Sequence, residues 1–145
     1  MAVPLIFISP IMKLTNLHVL IAEDDPDDGM LVEESFAKNE LYNKVSLVNN
    51  GQELVDYLKN SANNIPDIIL TDINMPIMNG IEALIEIMDD AEYNKIPCFV
   101  YSTSINPTYE ARCKELGVKG FLIKPFSLEE FNDIPNMIIA ALNTI

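Results

Sequence analysis

Five short apolar runs alternate with helix-like segments along most of this chain, and this alternation constrains the fold more than any other feature. The runs have the length of strands, and the segments between them place apolar residues at helical spacing, as Ile81, Leu84 and Met88 show. Strands that alternate with helices form a parallel sheet covered by helices on both faces. The sequence therefore predicts an α/β fold with a doubly wound, five-stranded parallel sheet. The predicted strands are Val19–Ala22, Val45–Val48, Ile68–Thr71, Cys98–Tyr101 and Phe121–Ile123.

The second strand, Val45–Val48, is the least apolar of the five and therefore suits an edge of the sheet. Right-handed crossovers leave few strand orders open once that edge is set. The flavodoxin-like order 2-1-3-4-5 fits, and it places a crevice over the carboxyl ends of strands 1 and 3. Open α/β sheets bind their ligands in such a crevice, so functional residues are expected there.

Polar residues follow four of the five predicted strands at that edge. Each has an ordinary explanation by itself, because acids cap turns, lysines pair with surface acids and serines hydrogen-bond at strand ends. Their convergence on one crevice argues for chemistry instead. They are Glu23, Asp24 and Asp25 after strand 1, Asp72 after strand 3, Ser102 after strand 4 and Lys124 after strand 5.

One chemical arrangement uses all of these groups. Adjacent acids repel unless a cation compensates, and carboxylates with a backbone carbonyl suit Mg²⁺ that is bridged to a phosphoryl oxygen. A lysine attracts the same anion, and a hydroxyl donates to it. Asp72 would then attack phosphorus as the nucleophile, while Mg²⁺ and Lys124 offset charge in the transition state.

The composition bounds the size of the fold and the kind of partner. At 145 residues the chain suits one domain with a single buried core. Its 22 acids against 9 bases give a formal charge of −13, which argues against a binder of nucleic-acid phosphates and permits a hard cation. Cys98 and Cys113 fit no disulfide or zinc spacing and are expected to be buried thiols in the reducing cytoplasm. His18 is expected to be structural.

The first residues are apolar but fit neither a membrane span nor a secretory signal. The run Val3–Met12 is too short to cross a bilayer, is interrupted by prolines and lacks a basic leading region. Residues 1–16 are therefore expected to be an N-terminal extension outside the fold, with residues 17–143 forming the domain and no membrane contact.

The chain resembles the receiver domain of two-component response regulators over residues 17–143. The matching pieces are, in order, VLIAEDDPDD, PDIILTDINMPIMNG, IPCFVYSTS and GVKGFLIKPF, and their combination is highly specific. The intervals that separate Asp72, Ser102 and Lys124 also fit the family. The resemblance implies a phospho-accepting signalling domain of the stand-alone, single-domain type. Such a domain phosphorylates and dephosphorylates itself and is not a conventional enzyme.

By resemblance, Asp72 is the phospho-acceptor, Ser102 is the switch hydroxyl, and Lys124 is the lysine that pairs with the phosphoryl group. Phe121 matches the aromatic switch position, although it lacks a hydroxyl and also suits the core. The family also allows a cis bond between Lys124 and Pro125.

The same resemblance implies a Mg²⁺ site. Glu23 and Asp24 form its acid pair, Asp72 is a further ligand, and the backbone carbonyl of Asn74 completes the set. Asp25 is a third acid in the run but not a first-choice ligand.

The resemblance also implies partners. A sensor histidine kinase or a phosphotransfer protein would supply the phosphoryl group, and a downstream protein target would respond to the phosphorylated state. No DNA-binding module follows in the chain, so direct DNA binding is not expected. The output face would be the fourth helix, the fifth strand and the last helix, with a phosphorylation-dependent homodimer as one outcome. Pro135 is expected to kink or restart that last helix.

Two alternatives from other classes stay open at this point. A pseudo-receiver would bind a partner without being phosphorylated, against which the full set of acids, Ser102 and Lys124 argues. A small Mg²⁺-dependent phosphohydrolase of related topology would usually carry a second acid two residues after the nucleophile, where this chain has Asn74.

Overall fold

Five strands form one sheet in the structure, a computed structural model that describes residues 15–60, 64–103 and 106–143. The strand order is β2-β1-β3-β4-β5, and every neighbouring pair is parallel. The predicted fold class and strand order are confirmed. The strands are β1 (Leu17–Ala22), β2 (Tyr42–Val48), β3 (Ile68–Asp72), β4 (Cys98–Ser102) and β5 (Gly120–Ile123).

Six helices are present within the described ranges. Asparagine side chains cap three of them, because Asn50, Asn79 and Asn106 accept backbone N–H groups from the first turns that follow. Each of the three follows a strand of the parallel sheet and so begins at the carboxyl edge, where the functional residues are expected. The helices are α1 (Pro26–Ala37), α2 (Gly51–Lys59), α3 (Gly80–Met88), α4 (Pro107–Glu115), α5 (Leu128–Phe131) and α6 (Ile134–Leu142).

Two apolar layers hold the sheet between the helices. Successive side chains of a strand point to opposite faces, so Ile69 packs in the layer under α2 and α3, whereas Ile68 and Leu70 pack in the layer with α1, α5 and α6. All three are fully buried. Because both faces are covered, the central strands are continuously apolar in sequence.

The last helical segment is divided into two helices, as the position of Pro135 in the sequence predicted. Helix α5 ends at Phe131, and α6 begins at Ile134 with Pro135 in its first turn, where a missing N–H has no helical partner. The carbonyl of Pro135 accepts a hydrogen bond from the Tyr42 hydroxyl at 2.8 Å, which ties α6 to the edge strand. No described peptide bond is cis, so the bond that joins residues 124 and 125 is trans.

The predicted N-terminal extension lies almost entirely outside the described residues, which begin at residue 15. The domain boundaries at residues 17 and 143 therefore stay predictions. Within the described ranges, every helix is too short or too polar to cross a lipid bilayer.

The loop between β3 and α3 is packed so tightly that the first residues of α2 and α3, which lie against it, must be glycine. A Cβ on Gly80 would overlap the carbonyl oxygen of Asp72, and a Cβ on Gly51 would lie 2.5 Å from the carbonyl oxygen of Met78. Gly80 N donates to Ile73 O, and Gly51 N donates to Met78 O, each at 2.8 Å. These contacts fix the backbone that follows Asp72.

The same loop holds Ile77 in a left-handed conformation. Its φ is 70°, and across it the N–H of Met78 donates to the carbonyl of Pro76 at 2.7 Å, the hydrogen bond of a γ-turn. A β-branched residue in this region is strained by roughly 1–2 kcal/mol. The Ile77 residue is 81% exposed, so little burial offsets the strain.

Replacing Ile77 with Asn is expected to stabilise the protein by about 1 kcal/mol, because asparagine tolerates the left-handed region. Urea unfolding at constant pH measures the change. Ile77→Val keeps the β-branching and is the matched control, expected to unfold at the same urea concentration as the parent. Equal midpoints for Ile77→Asn and the parent would show that the turn is not strained.

Candidate functional site

The parallel register brings the predicted residues to one edge of the sheet. Asp72 ends β3 and pairs in register with Tyr101, and Ser102 ends β4. Glu23 directly follows β1, and Lys124 directly follows β5. All of these side chains are buried. The fold therefore gathers charged groups where little water reaches them.

Lys124 lies at the centre of the site. Its Nζ is 2.9 Å from Oε1 of Glu23, 3.1 Å from Oδ2 of Asp72 and 3.2 Å from Oδ2 of Asp28. Burial by itself would lower the pKa of Lys124, but its hydrogen bonds and charge interactions with Glu23 and Asp72 outweigh burial, so the pKa is raised and the lysine stays charged. One ammonium group thus serves three carboxylates, and the site keeps an excess of negative charge.

Glu23 is held through both of its carboxylate oxygens. Oε1 accepts a hydrogen bond from the Tyr101 hydroxyl at 2.6 Å and also faces Lys124. Oε2 accepts the backbone N–H of Asp25 at 3.1 Å. Because Glu23 is only 1% exposed, these protein groups compensate its charge and solvent does not.

Asp72 is oriented by two contacts. Oδ1 accepts the backbone N–H of Ile73 at 2.7 Å, and Oδ2 faces Lys124 at 3.1 Å. Burial and then the negative charge of Glu23 raise the pKa of Asp72 to about 6, although Lys124 opposes the rise. A further cation beside Asp72 would therefore favour its ionised, nucleophilic form.

Three acids form a group that could hold a divalent cation. Glu23, Asp24 and Asp72 each offer one oxygen, and these oxygens lie within 4.8 Å of one another. Asp24 is exposed and closes the group on the solvent side. Carboxylate oxygens in this arrangement suit a hard cation. Asn74 lies on the loop after β3 with its side chain exposed, and ligation by its carbonyl stays a prediction.

Asp25 has a different task from its neighbours. Its Oδ1 accepts the backbone N–H groups of Asp27 at 2.9 Å and Asp28 at 3.1 Å, so it caps α1. That Asp25 is not a first-choice ligand stays a prediction.

Two residues of the site were not predicted from the sequence. Asp28 reaches Lys124 from the first turn of α1, and Tyr101 reaches Glu23 from β4. The sequence held a signal for Asp28 in the helix start at Asp25. Residues three apart share one side of a helical turn, so Asp28 lies on the same side as Asp25. The signal for Tyr101 was a polar aromatic residue in a buried strand, whose hydroxyl needs a partner.

Ser102 and Phe121 lie on neighbouring strands beside the site. Ser102 is 4% exposed, and its carbonyl accepts the backbone N–H of Lys124 at 2.7 Å. Phe121 is half-buried and borders a cavity of about 190 Å³ between α4 and β5 that Cys113 and Val118 also line. Residues 104 and 105, which follow Ser102 in the loop, lie outside the described residues.

Comparison with known proteins agrees with this geometry. The family model of the response regulator receiver domain matches residues 19–135. The two-component response regulator ORR3 of Oryza sativa is 30% identical over 122 residues, which cover 84% of this chain and 90% of that protein. The phosphorylated cyanobacterial phytochrome response regulator RcpA has a TM-score of 0.80 at 32% identity, covering 90% of this chain and 97% of that chain. The Mn²⁺-bound form of response regulator Rcp1 has a TM-score of 0.77 at 26% identity, covering 89% and 96%.

An all-parallel sheet of order 2-1-3-4-5, with acids and a lysine gathered at its carboxyl edge, defines a receiver fold. The chain belongs to the response regulator receiver family, whose members are the phospho-accepting domains of two-component systems. The resemblance drawn from the sequence motifs is confirmed at this level.

Asp24→Asn is expected to unfold at a higher urea concentration than the parent in metal-free buffer, because it removes repulsion from Glu23 and Asp72. Two carboxylates at this range repel by about 1 kcal/mol in water and by more where solvent is excluded. Saturating Mg²⁺ should stabilise the parent by mass action and hardly change Asp24→Asn. Paired urea titrations with and without Mg²⁺ measure both effects.

Asp25→Asn is the matched control, because it removes the same charge one residue later while asparagine can still cap α1. It is expected to keep the full response to Mg²⁺. If Asp24→Asn gains as much stability from Mg²⁺ as the parent does, Asp24 is not part of the metal site.

Proposed function

We propose that Asp72 accepts a phosphoryl group from the phosphohistidine of a sensor histidine kinase or phosphotransfer protein, or from a small phosphodonor. The observation that carries this assignment is the set of charged groups around Asp72. Lys124 is 3.1 Å away, and Glu23 and Asp24 each offer an oxygen within 4.8 Å of an oxygen of Asp72. Transfer to a carboxylate needs positive charge around the entering phosphoryl group. Here a lysine contacts the nucleophile directly, and the nucleophile belongs to a group of acids that could hold a cation.

Each residue of the site has a task in the transfer. An ionised oxygen of Asp72 attacks phosphorus, and an O–P bond forms while the P–N bond to the donor histidine breaks and the imidazole takes up a proton. Lys124 pairs with the phosphoryl oxygens and offsets their charge, and the Ser102 hydroxyl donates to one of them. Because the pKa of Asp72 is about 6 without metal, the nucleophilic form dominates above that pH.

Mg²⁺ suits the metal position better than a soft metal would. Glu23, Asp24 and Asp72 supply carboxylate oxygens only, and the backbone carbonyl of Asn74 is proposed to complete the set. When bound, the ion would neutralise charge on the phosphoryl oxygens.

The two alternatives raised by the sequence gain no support from the site. A pseudo-receiver would not need the buried set of Glu23, Asp72 and Lys124, which is complete here. A phosphohydrolase of related topology would usually carry an acid where Asn74 stands. The chemistry proposed for this chain is limited to its own phosphorylation and dephosphorylation.

We place the output surface on α4, β5, α5 and α6. Apolar side chains are exposed beside the site, including Ile123 at 45%, Phe126 at 93%, Leu128 at 42% and Met137 at 47%. Ile123 directly precedes Lys124, so a shift of the lysine toward a phosphoryl group would be passed to this surface. Exposed apolar groups close together mark a site of protein contact.

The proposed partners are proteins. A downstream target or a second copy of this chain would contact the output surface once Asp72 is phosphorylated. The charge of −13 disfavours direct contact with DNA and with anionic membranes. We propose a cytoplasmic location, in keeping with the free, buried thiols of Cys98 and Cys113.

Intact-mass analysis after treatment with acetyl phosphate and Mg²⁺ tests the assignment. The parent is expected to gain one phosphoryl group and Asp72→Asn none, because an amide is a poor nucleophile of nearly the same shape. Asp27→Asn, which changes an exposed acid of α1, is the control and should gain one group as the parent does. Phosphorylation of Asp72→Asn at the parental rate would show that Asp72 is not the phospho-acceptor.

Ser102→Ala is expected to leave Asp72 phosphorylatable but to weaken association that depends on the phosphoryl group. The substitution removes the hydroxyl that would hydrogen-bond to this group. Light scattering and pull-downs with and without beryllofluoride, a phosphoryl mimic, measure the association. Ser102→Thr keeps the hydroxyl and should behave as the parent does. Identical association of Ser102→Ala and the parent would exclude Ser102 as the switch.

A further inference from the structure

Tyr101 connects the acid pair that follows β1 with the strand that carries Ser102. The tyrosine is fully buried, and its hydroxyl donates to Oε1 of Glu23 at 2.6 Å. Its ring lies 5.0 Å from Nζ of Lys124, within the range of a cation–π contact. The hydroxyl of Tyr42, which is also buried, donates instead to the neutral carbonyl of Pro135.

We propose that Tyr101 is a positioning residue that holds Glu23 against Lys124 and thereby weakens the binding of a divalent cation at Glu23, Asp24 and Asp72. The inference rests on the proposed metal site and adds to it a residue that sets the affinity of that site.

The geometry of Glu23 supports this role. A carboxylate oxygen has two lone pairs, and Oε1 of Glu23 already receives two donors, the Tyr101 hydroxyl at 2.6 Å and the Lys124 ammonium at 2.9 Å. Oε2 accepts one bond, from the backbone N–H of Asp25 at 3.1 Å. Only Oε2 therefore keeps a free lone pair for a cation or for a water bound to it.

The sign of the effect follows from the charge of Glu23. A hydrogen bond to an ionised carboxylate stabilises the anion in the absence of a cation, so the donor competes with any cation that would compensate the same charge. The O–H···O⁻ distance is in the short range of charge-assisted bonds, and Glu23 is 1% exposed, so water cannot replace the donor. Burial and the charge of Glu23 raise the pKa of Tyr101, which keeps the phenol a neutral donor.

Tyr101→Phe tests the proposal, because it removes the hydroxyl and keeps the ring in the core and near Lys124. Calorimetric titration with Mg²⁺ at fixed pH and salt is expected to give a Kd about three- to tenfold lower than that of the parent, up to about 1.4 kcal/mol of binding free energy. The variant should also unfold at lower urea in metal-free buffer, and saturating Mg²⁺ should recover part of that loss.

Tyr42→Phe is the matched control. It deletes another buried phenol hydroxyl, one that donates to the backbone carbonyl of Pro135 in α6 rather than to a carboxylate. Its stability should fall by the same amount with and without Mg²⁺, and its Kd for Mg²⁺ should equal that of the parent. A purely structural role for Tyr101 would make Tyr101→Phe behave in the same way as Tyr42→Phe.

A spectroscopic measurement supports the test and does not require Tyr101→Phe to fold. Mg²⁺ should change the near-ultraviolet difference spectrum of the parent and of Tyr42→Phe, because the hydrogen bond of Tyr101 weakens when Glu23 turns toward the ion. Absence of this signal, or a Kd for Tyr101→Phe equal to or higher than that of the parent, would overturn the proposal. If one of these two results is found and the parent is still phosphorylated normally, only the proposed role of Tyr101 is wrong. If the parent neither binds Mg²⁺ nor is phosphorylated, the proposed function fails with it.

Discussion

The ammonium group of Lys124 is the contact on which the rest of the site depends. It lies within 3.2 Å of carboxylate oxygens from Glu23, Asp28 and Asp72, which arrive from β1, α1 and β3. Removing one partner from a buried ion pair costs about 3–5 kcal/mol because the other charge is left without compensation. The same contact joins the edge strand β5 to the centre of the sheet. It also places a cation where a phosphoryl group on Asp72 would need it.

Stability and function oppose each other at this edge of the sheet. One lysine cannot neutralise all the acids, and the pKa of Asp72 is raised to about 6, above its ordinary value, by burial and by Glu23. A raised pKa in the folded state means that the stability contributed by protonated Asp72 is present below its ordinary pKa and is lost as the pH rises through about 6. At neutral pH the folded protein therefore carries unrelieved repulsion, which a divalent cation at the site would reduce. The tight loop after Asp72, in which Ile77 has a left-handed conformation, also lowers the stability of the folded protein.

The charged site and the exposed apolar surface are linked through one strand end. Ile123 ends β5, Lys124 follows it, and Phe126 stands 93% exposed two residues later. The ion pairs of Lys124 and the exposed apolar side chains are therefore carried by one short stretch of backbone. Helices α5 and α6 both pack on the core across the break that precedes Pro135, since Phe131 and Ile138 are buried on either side of it.

The sequence by itself determined the alternation of strands and helices, the strand order, the helix break before Pro135 and the meeting of Glu23, Asp72 and Lys124 at one edge. These features follow from local patterns, because periodicity marks each element and parallel strands all end on the same side. Only the tertiary structure decided that Tyr101 and Asp28 complete the site. Tyr101 lies 78 residues from Glu23 in the chain, and Asp28 lies 96 residues from Lys124. Both partnerships depend on the register between strands and on the direction of the first turn of α1, and no short-range pattern contains that information.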